Sequence, residues 1–388
     1  MRTALRGLML GGLTVVLVSG CSTISETVDS LNPFSSSGPK MTPLTPIKAS
    51  VEVKARWSVD AGKAGNYVFV PAVAGDAAFV AGADGTIARI DDGKVAWRIN
   101  AGQPLSAGVG SDGKLVVAGT AKGDVLAFAA TDGKPLWQAK VSSEILAAPA
   151  VSDQGVAVRS GDNRVYLLGA GDGSRKWVYQ RATPPLSLRS WAPPVFADRF
   201  LLIGFPGGKL VALTLNNGAP VWEGTVALPK GTTELDRVAD IVSVPAIDGR
   251  QVCAVAFQGR VACFDLGQSG SLIWARDFSS AAGLAMDGRY LFVTDDKGAV
   301  HALDRGTGAS IWKQDKLLNR RVSGPMVRRG MVVVADGEGV VHFLSREDGA
   351  FAARQATDGR AVLAAPQALG TAVLVQTTGG RVEAIEVQ

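Results

Sequence analysis

Apolar and polar residues alternate along most of this chain in short runs cut by glycine-rich turns. The clearest run is KGAVHALDRGTGASIW, from Lys297 to Trp312. It reads as a turn, a strand with period-two alternation, a second turn and a strand ending in tryptophan. The same pattern recurs in DGTIARIDDGKVAW ending at Trp97, KGDVLAFAATDGKPLW at Trp137 and DNRVYLLGAGDGSRKW at Trp177. It recurs again in GGKLVALTLNNGAPVW at Trp222 and QGRVACFDLGQSGSLIW at Trp274. A weaker copy, EGVVHFLSREDGAFAA, has Ala353 in place of tryptophan, and the last, GGRVEAIEVQ, stops before its final strand. These are eight copies of one all-β unit.

Tryptophans at 57, 97, 137, 177, 222, 274 and 312 are separated by 40, 40, 40, 45, 52 and 38 residues. Repeats of about 40–45 residues built from strands and turns predict propeller blades. Each blade is too thin to bury both faces alone, so neighbours stack around a ring. The spacing predicts an all-β fold, an eight-bladed β-propeller of four-stranded antiparallel blades over residues 51–388. The strand missing from the last copy is supplied by VEVKARW, Val51 to Trp57, which closes the ring and protects its edges.

In six of the eight copies, a proline stands near the inner strand (Pro71, Pro149, Pro193, Pro245, Pro325, Pro366). A glycine precedes the third strand at 85, 123, 208, 259, 298, 339 and 380, with Asn163 substituting once, as positive-φ turns require. The tryptophans are expected between adjacent blades, their indole N–H groups on backbone carbonyls. His301 and His342 occupy equivalent repeat positions, which points to structure rather than catalysis. Cys253 and Cys263 flank a hairpin turn at Gln258 that sets them opposite each other, either as a disulfide or as two buried thiols.

Residues 1–20 differ in kind. Arg2 and Arg6 precede an apolar LMLGGLTVVLV run too short for a usual membrane span, the form of a signal peptide. Val18-Ser19-Gly20-Cys21 then resembles a bacterial lipobox, which makes Cys21 the expected lipidation site. With Ser22 rather than aspartate next, the resemblance implies an outer-membrane anchor facing the periplasm. Residues 21–50, rich in serine, threonine and proline, read as a flexible tether. The formal net charge of +5 is mild and no lysine/arginine run occurs, which argues against nucleic acid.

The irregularities say more than the repeats. Extra length falls in two successive joints between an outer strand and the next inner strand. These are RATPPLSLRSWAP (Arg181 to Pro193) and ALPKGTTELDRVADIVSVP (Ala227 to Pro245). Equivalent joints emerge on one face of a propeller, and insertions there mark a binding face. The first loop sets Leu186, Leu188 and Trp191 around Arg189, the composition of a protein-binding hot spot. The second carries Glu234, Asp236, Arg237 and Asp240.

No G-x-S-x-G elbow, H-E-x-x-H helix or P-loop is present, and the aspartates mostly sit in Asp-Gly turns. A-[LF]-D-x-x-T-G-x-x-x-W, as in ALDRGTGASIW, resembles the blade motif of pyrroloquinoline-quinone dehydrogenases. Their adjacent cysteine pair is missing here, and a quinone- or small-ligand-binding propeller stands as the alternative reading. A resemblance over nearly the whole chain is to the BamB family, lipoproteins of the bacterial outer-membrane β-barrel assembly (BAM) machinery. It is carried by the lipobox, the tether, the eight blades, PPLSLRSWAPP and ELDRVADIVSVP. It implies a non-enzymatic scaffold without cofactor or metal that docks on the periplasmic domains of the barrel subunit BamA and promotes folding and insertion of β-barrel proteins. Carried onto this sequence, the contact falls on Leu186, Leu188, Arg189 and Asp240, with Trp191, Asp236 and Arg237 as further candidates. A second acid common in the family after Asp240 is Val242 here. Nascent outer-membrane proteins are a second expected partner, held at blade edges by β-augmentation.

Overall fold

The computed structural model describes residues 39–387; the signal segment, Cys21 and the tether through residue 38 lie outside them. The strands assort into eight four-stranded antiparallel sheets, each paired in sequence order, with one exception. Blade 1 is Ala72–Ala74, Ala77–Ala81, Thr86–Asp91 and Lys94–Asn100, and blades 2 to 7 repeat that plan. Blade 8 takes Gln367–Leu369, Ala372–Gln376 and Arg381–Val387 from the end of the chain and Val53–Asp60 from its beginning. Val53 lies opposite Val387 and Asp60 opposite Arg381, so the ring closes as the repeat count requires. The second strand of blades 1, 2, 3, 6, 7 and 8 is buried along its whole length. The core lies between sheets: Phe79 and Ile87 of blade 1 pack with Val116 and Leu126 of blade 2.

The tryptophans lock these interfaces. The indole N–H of Trp97 donates to Ala130 O of the next blade at 3.0 Å, Trp137 to Ala170 O at 2.8 Å and Trp177 to Leu215 O at 2.9 Å. Trp222, Trp274 and Trp312 repeat the bond to Gly270, Arg305 and Arg346. Each ring covers a glycine in the neighbour's last turn. At Gly173, with φ +68°, an added Cβ would come within 2.4 Å of the Trp137 ring. That glycine meets both demands, the left-handed turn and the indole's approach.

Ala353 now has a physical reason. Blade 7 faces blade 8, where the third and fourth strands come from opposite ends of the chain and no turn joins them. Val51, Val53 and Val387 pack there beside Ala353 in place of an indole over glycine. The approach to this closing strand also touches the ring. The Thr42 amide donates to Leu318 O at 3.1 Å, Arg320 donates to Thr42 O at 3.0 Å and Arg354 to Thr45 O at 2.6 Å. The last residues of the expected tether therefore lie against blades 6 and 7.

At blade 5 the positive φ falls on Gln258 (+48°) rather than on Gly259, a one-residue correction to the turn grammar. Cys253 and Cys263 are directly opposed and joined as a disulfide, both fully buried. His301 and His342 each place Nε2 2.9 Å from the aspartate that caps their own turn, Asp295 and Asp336. Both histidines thus brace blades.

Candidate functional site

The long loop after Tyr179 leaves blade 3 and the one after Thr225 leaves blade 4. Arg181 fastens the start of the first to blade 4, paired with Glu223 at 2.9 Å and stacked on Phe205 with its guanidinium 5.6 Å from the ring centre. Beyond it the two loops meet through Asp240. The Leu188 amide donates to Asp240 Oδ2 at 2.7 Å and the Gly207 amide to Oδ1 at 3.0 Å. The Asp240 carbonyl accepts from Phe257 N at 2.8 Å, which ties the joint to blade 5. Asp240 has no solvent exposure. A carboxylate so enclosed and bonded has no free face to offer and instead shapes the loop above it.

Arg189 reaches sideways across the face to Glu144, in the joint between blades 2 and 3, where both carboxylate oxygens accept from Nη2. The Glu144 carbonyl in turn accepts from the Gly161 amide at 2.7 Å. Three successive joints are therefore connected. The contact with Glu144 pushes the Arg189 guanidinium above its usual range while leaving it in water.

Beneath the first loop lies Arg159, the last residue of the second strand of blade 3 and only 4% exposed. It donates to Gly204 O at 2.9 Å, to Asn163 Oδ1 at 2.7 Å and to Ser190 Oγ at 3.1 Å. Burial pulls its guanidinium down to about 10, an effect the negative charge of Asp240 opposes. Ser190 is in reach of Val242 O at 3.5 Å, a further link between the loops.

The second loop is built on an apolar plug and a small exposed turn. Val226, Ala227, Ala239 and Ile241 pack into the interface of blades 4 and 5. Above them, Thr233 and Asp236 cap each other reciprocally, each backbone amide donating 3.1 Å to the other's side chain. Arg237 holds Gly231 O at 3.2 Å. Asp236 and Arg237 thus shape their own exposed turn.

Large apolar residues also remain in water. Leu186, Trp191, Leu228, Leu235 and Val244 are all large hydrophobic residues left exposed, and all lie on these two loops. The other exposed large hydrophobics, among them Leu136, Val221, Leu272 and Ile311, sit on the outer strands of separate blades. The sequence reading found Leu186 and Trp191 but missed Leu228, Leu235 and Val244. Glu144 and Arg159 were missed too, lying in stretches of regular length.

A family profile described as "Outer membrane protein assembly factor BamB" matches residues 83–314. The chain is 44% identical to the protein of that name from Burkholderia pseudomallei, over 88% of this chain and 90% of the relative. It belongs to the BamB family. The crystal structure of BamB from Moraxella catarrhalis is 27% identical, covers 86% of this chain and all of the other, and superposes with a TM-score of 0.81. The quinohemoprotein alcohol dehydrogenase of Comamonas testosteroni superposes at 0.69 over 86% of this chain and 76% of its own, but at 13% identity. That second likeness shows the propeller alone, so the BamB family and not the quinone enzymes gives the functional reading. Membership makes this chain an outer-membrane protein assembly factor.

Proposed function

We propose that this protein is a non-enzymatic scaffold of the BAM complex, docking on the periplasmic domains of BamA through the paired long loops. Leu186 and Leu188 bury against the partner, Trp191 and the exposed Leu228, Leu235 and Val244 extend the apolar area, and Arg189 supplies charge at its edge. Asp240 contributes from below by holding the Leu188 amide. One observation carries the reading: the two insertions that break the repeat are bonded to each other and concentrate exposed apolar residues on one face. An isolated exposed leucine is ordinary, whereas several exposed large apolar residues gathered on two bonded loops suit a protein-binding surface.

Lipid on Cys21 holds the protein at the outer membrane, facing the periplasm. Residues 1–20 act as the signal peptide and the tether gives the ring reach. Open outer strands carrying Leu136, Val221, Leu272 and Ile311 support a weaker second contact, strand addition by nascent barrel proteins. Crosslinking from those positions to an unfolded barrel substrate, if absent, removes that second contact.

The deciding experiment measures affinity of the full-length protein for purified BamA periplasmic domains. Leu186→Ala is expected to weaken binding by about 2 kcal/mol, as a hot-spot truncation does, with thermal stability unchanged. Arg189→Glu is expected to slow association and flatten its salt dependence. Equal binding by all three proteins would move the contact elsewhere on the ring.

A further inference from the structure

Blades 2, 3 and 4 support the joint above them in two different ways. At or one residue before its end, the second strand of each carries a residue paired with the first apolar residue of the third strand: Gly119 with Val125, Arg159 with Val165 and Gly204 with Leu210. Ile145 sits over Gly119 and Ile241 over Gly204; a Cβ on either glycine would come within 2.4 Å and 2.2 Å of the isoleucine Cγ2. Both isoleucines are fully buried plugs that the joint spends on holding itself down. In blade 3 the sizes are exchanged. The strand supplies Arg159, and the joint supplies the small Ser190, bonded to it.

The exchange has two consequences. The loop needs no aliphatic plug of its own, so Leu186 stays exposed and Leu188 half-buried. It also puts a cation beneath a loop whose Leu188 amide is held by the buried Asp240. Arg159 and Asp240 act on the same short stretch, from Leu188 to Ser190, from two sides. Gly204 O, to which Arg159 donates, lies on the strand that leads into Gly207, to which Asp240 is bonded. Two opposite buried charges thus share one bonded framework.

We propose that Arg159 is a positioning residue for the docking surface, a buried cation that works with Asp240 to hold the Leu186–Trp191 loop in the shape its partner reads. The proposal rests on the docking reading and deepens it. It differs from a space-filling role, in which any well-packed substitute for the arginine and serine would serve as well.

The test uses full-length protein, with affinity for the BamA periplasmic domains and amide hydrogen exchange as separate readouts. Arg159→Met is expected to speed exchange at Leu188 and Gly207 and to weaken docking, each by about tenfold. Amides of blade 6 should be unchanged. Arg159→Lys, which keeps the charge but loses the forked donors, should fall between and serves if the methionine variant does not fold. Arg159→Gly with Ser190→Ile rebuilds the regular joint and is the sharper variant. It should keep the melting temperature yet lose docking. If it docks as the wild type does, or if exchange at Leu188 is indifferent to Arg159→Met, the proposal is overturned. Should the wild type itself fail to bind, the docking reading falls, while exchange at Leu188 and Gly207 still decides whether the brace exists.

Discussion

Blade 7 and the joint between blades 3 and 4 are each underlain by a buried arginine and aspartate, below a segment that departs from the repeat. In blade 7, Arg320 donates to Asp336 at 2.7 Å and also pairs with Glu338, while His342 shares the Asp336 carboxylate. The segment above is the chain's own approach to the closing strand, with Thr42 O on Arg320 and Leu44 packed among apolar residues. At the joint, Arg159 and Asp240 support a loop whose apolar residues face water. One buried charge cluster is covered by the protein itself; the other presents a surface. The difference teaches that buried charge marks where the repeat is broken, and that only the fate of the apolar residues above it separates closure from recognition.

The largest effect should come from removing an aspartate from either cluster. Asp336→Ala breaks the buried pair with Arg320, leaving it only Glu338, and Asp240→Ala removes the one negative charge that offsets the burial of Arg159 and frees the Leu188 and Gly207 amides; each change is expected to cost about 3 kcal/mol of stability. Denaturant unfolding measures that cost. Docking separates them: at temperatures where both are folded, only Asp240→Ala should lose affinity for the BamA domains. Loss of docking in both would erase the distinction.

A smaller effect separates the clusters by pH. Burial alone would push the Asp336 carboxyl up, but hydrogen bonds from His342, the Val340 amide and Arg320 reverse this and hold it at about 2. Its stabilisation is present above the unfolded value of 3.8 and is lost as pH falls toward 2. Burial lowers the His342 pKa against the pull of Asp336. A base with a depressed folded value also loses stability on acidification, beginning near its unfolded value of 6.5. Melting temperature should therefore fall in two stages from pH 7 to pH 3, and His342→Gln should remove the upper stage. A single transition in the wild type would contradict this account of blade 7.

The smallest effect concerns Glu144, which orders Arg189 in the free protein. An exposed pair of this kind contributes about 0.5 kcal/mol, so Glu144→Gln should weaken docking about twofold. A gain in affinity would show instead that Arg189 must leave Glu144 in order to bind.

The ring was legible because tryptophan and glycine obey a spacing that adjacent blades enforce on one another. Ala353 looked like decay in the pattern, and became intelligible only once blade 8 was seen to lack the turn on which a tryptophan would sit. The loops were legible by their length. Their interior was not. Asp240 reads in sequence like a surface acid among Glu234 and Asp236, and Arg159 in VAVRSGDN like a charge at a strand end. Their burial depends on what three different blades place above and beside them, and no local pattern carries that. Glu144 was missed for the same reason.

The closing strand also orders events in time. Val53–Asp60 is among the first strands of the propeller to be synthesised, yet its partner Arg381–Val387 is the last. It must wait, unpaired, while seven blades form, and loop closure over that span is slow relative to pairing within any hairpin. Until then the nascent ring has two open edges, each able to pair with the wrong chain. A protein that helps other chains complete their barrels begins its own life with the same unfinished seam.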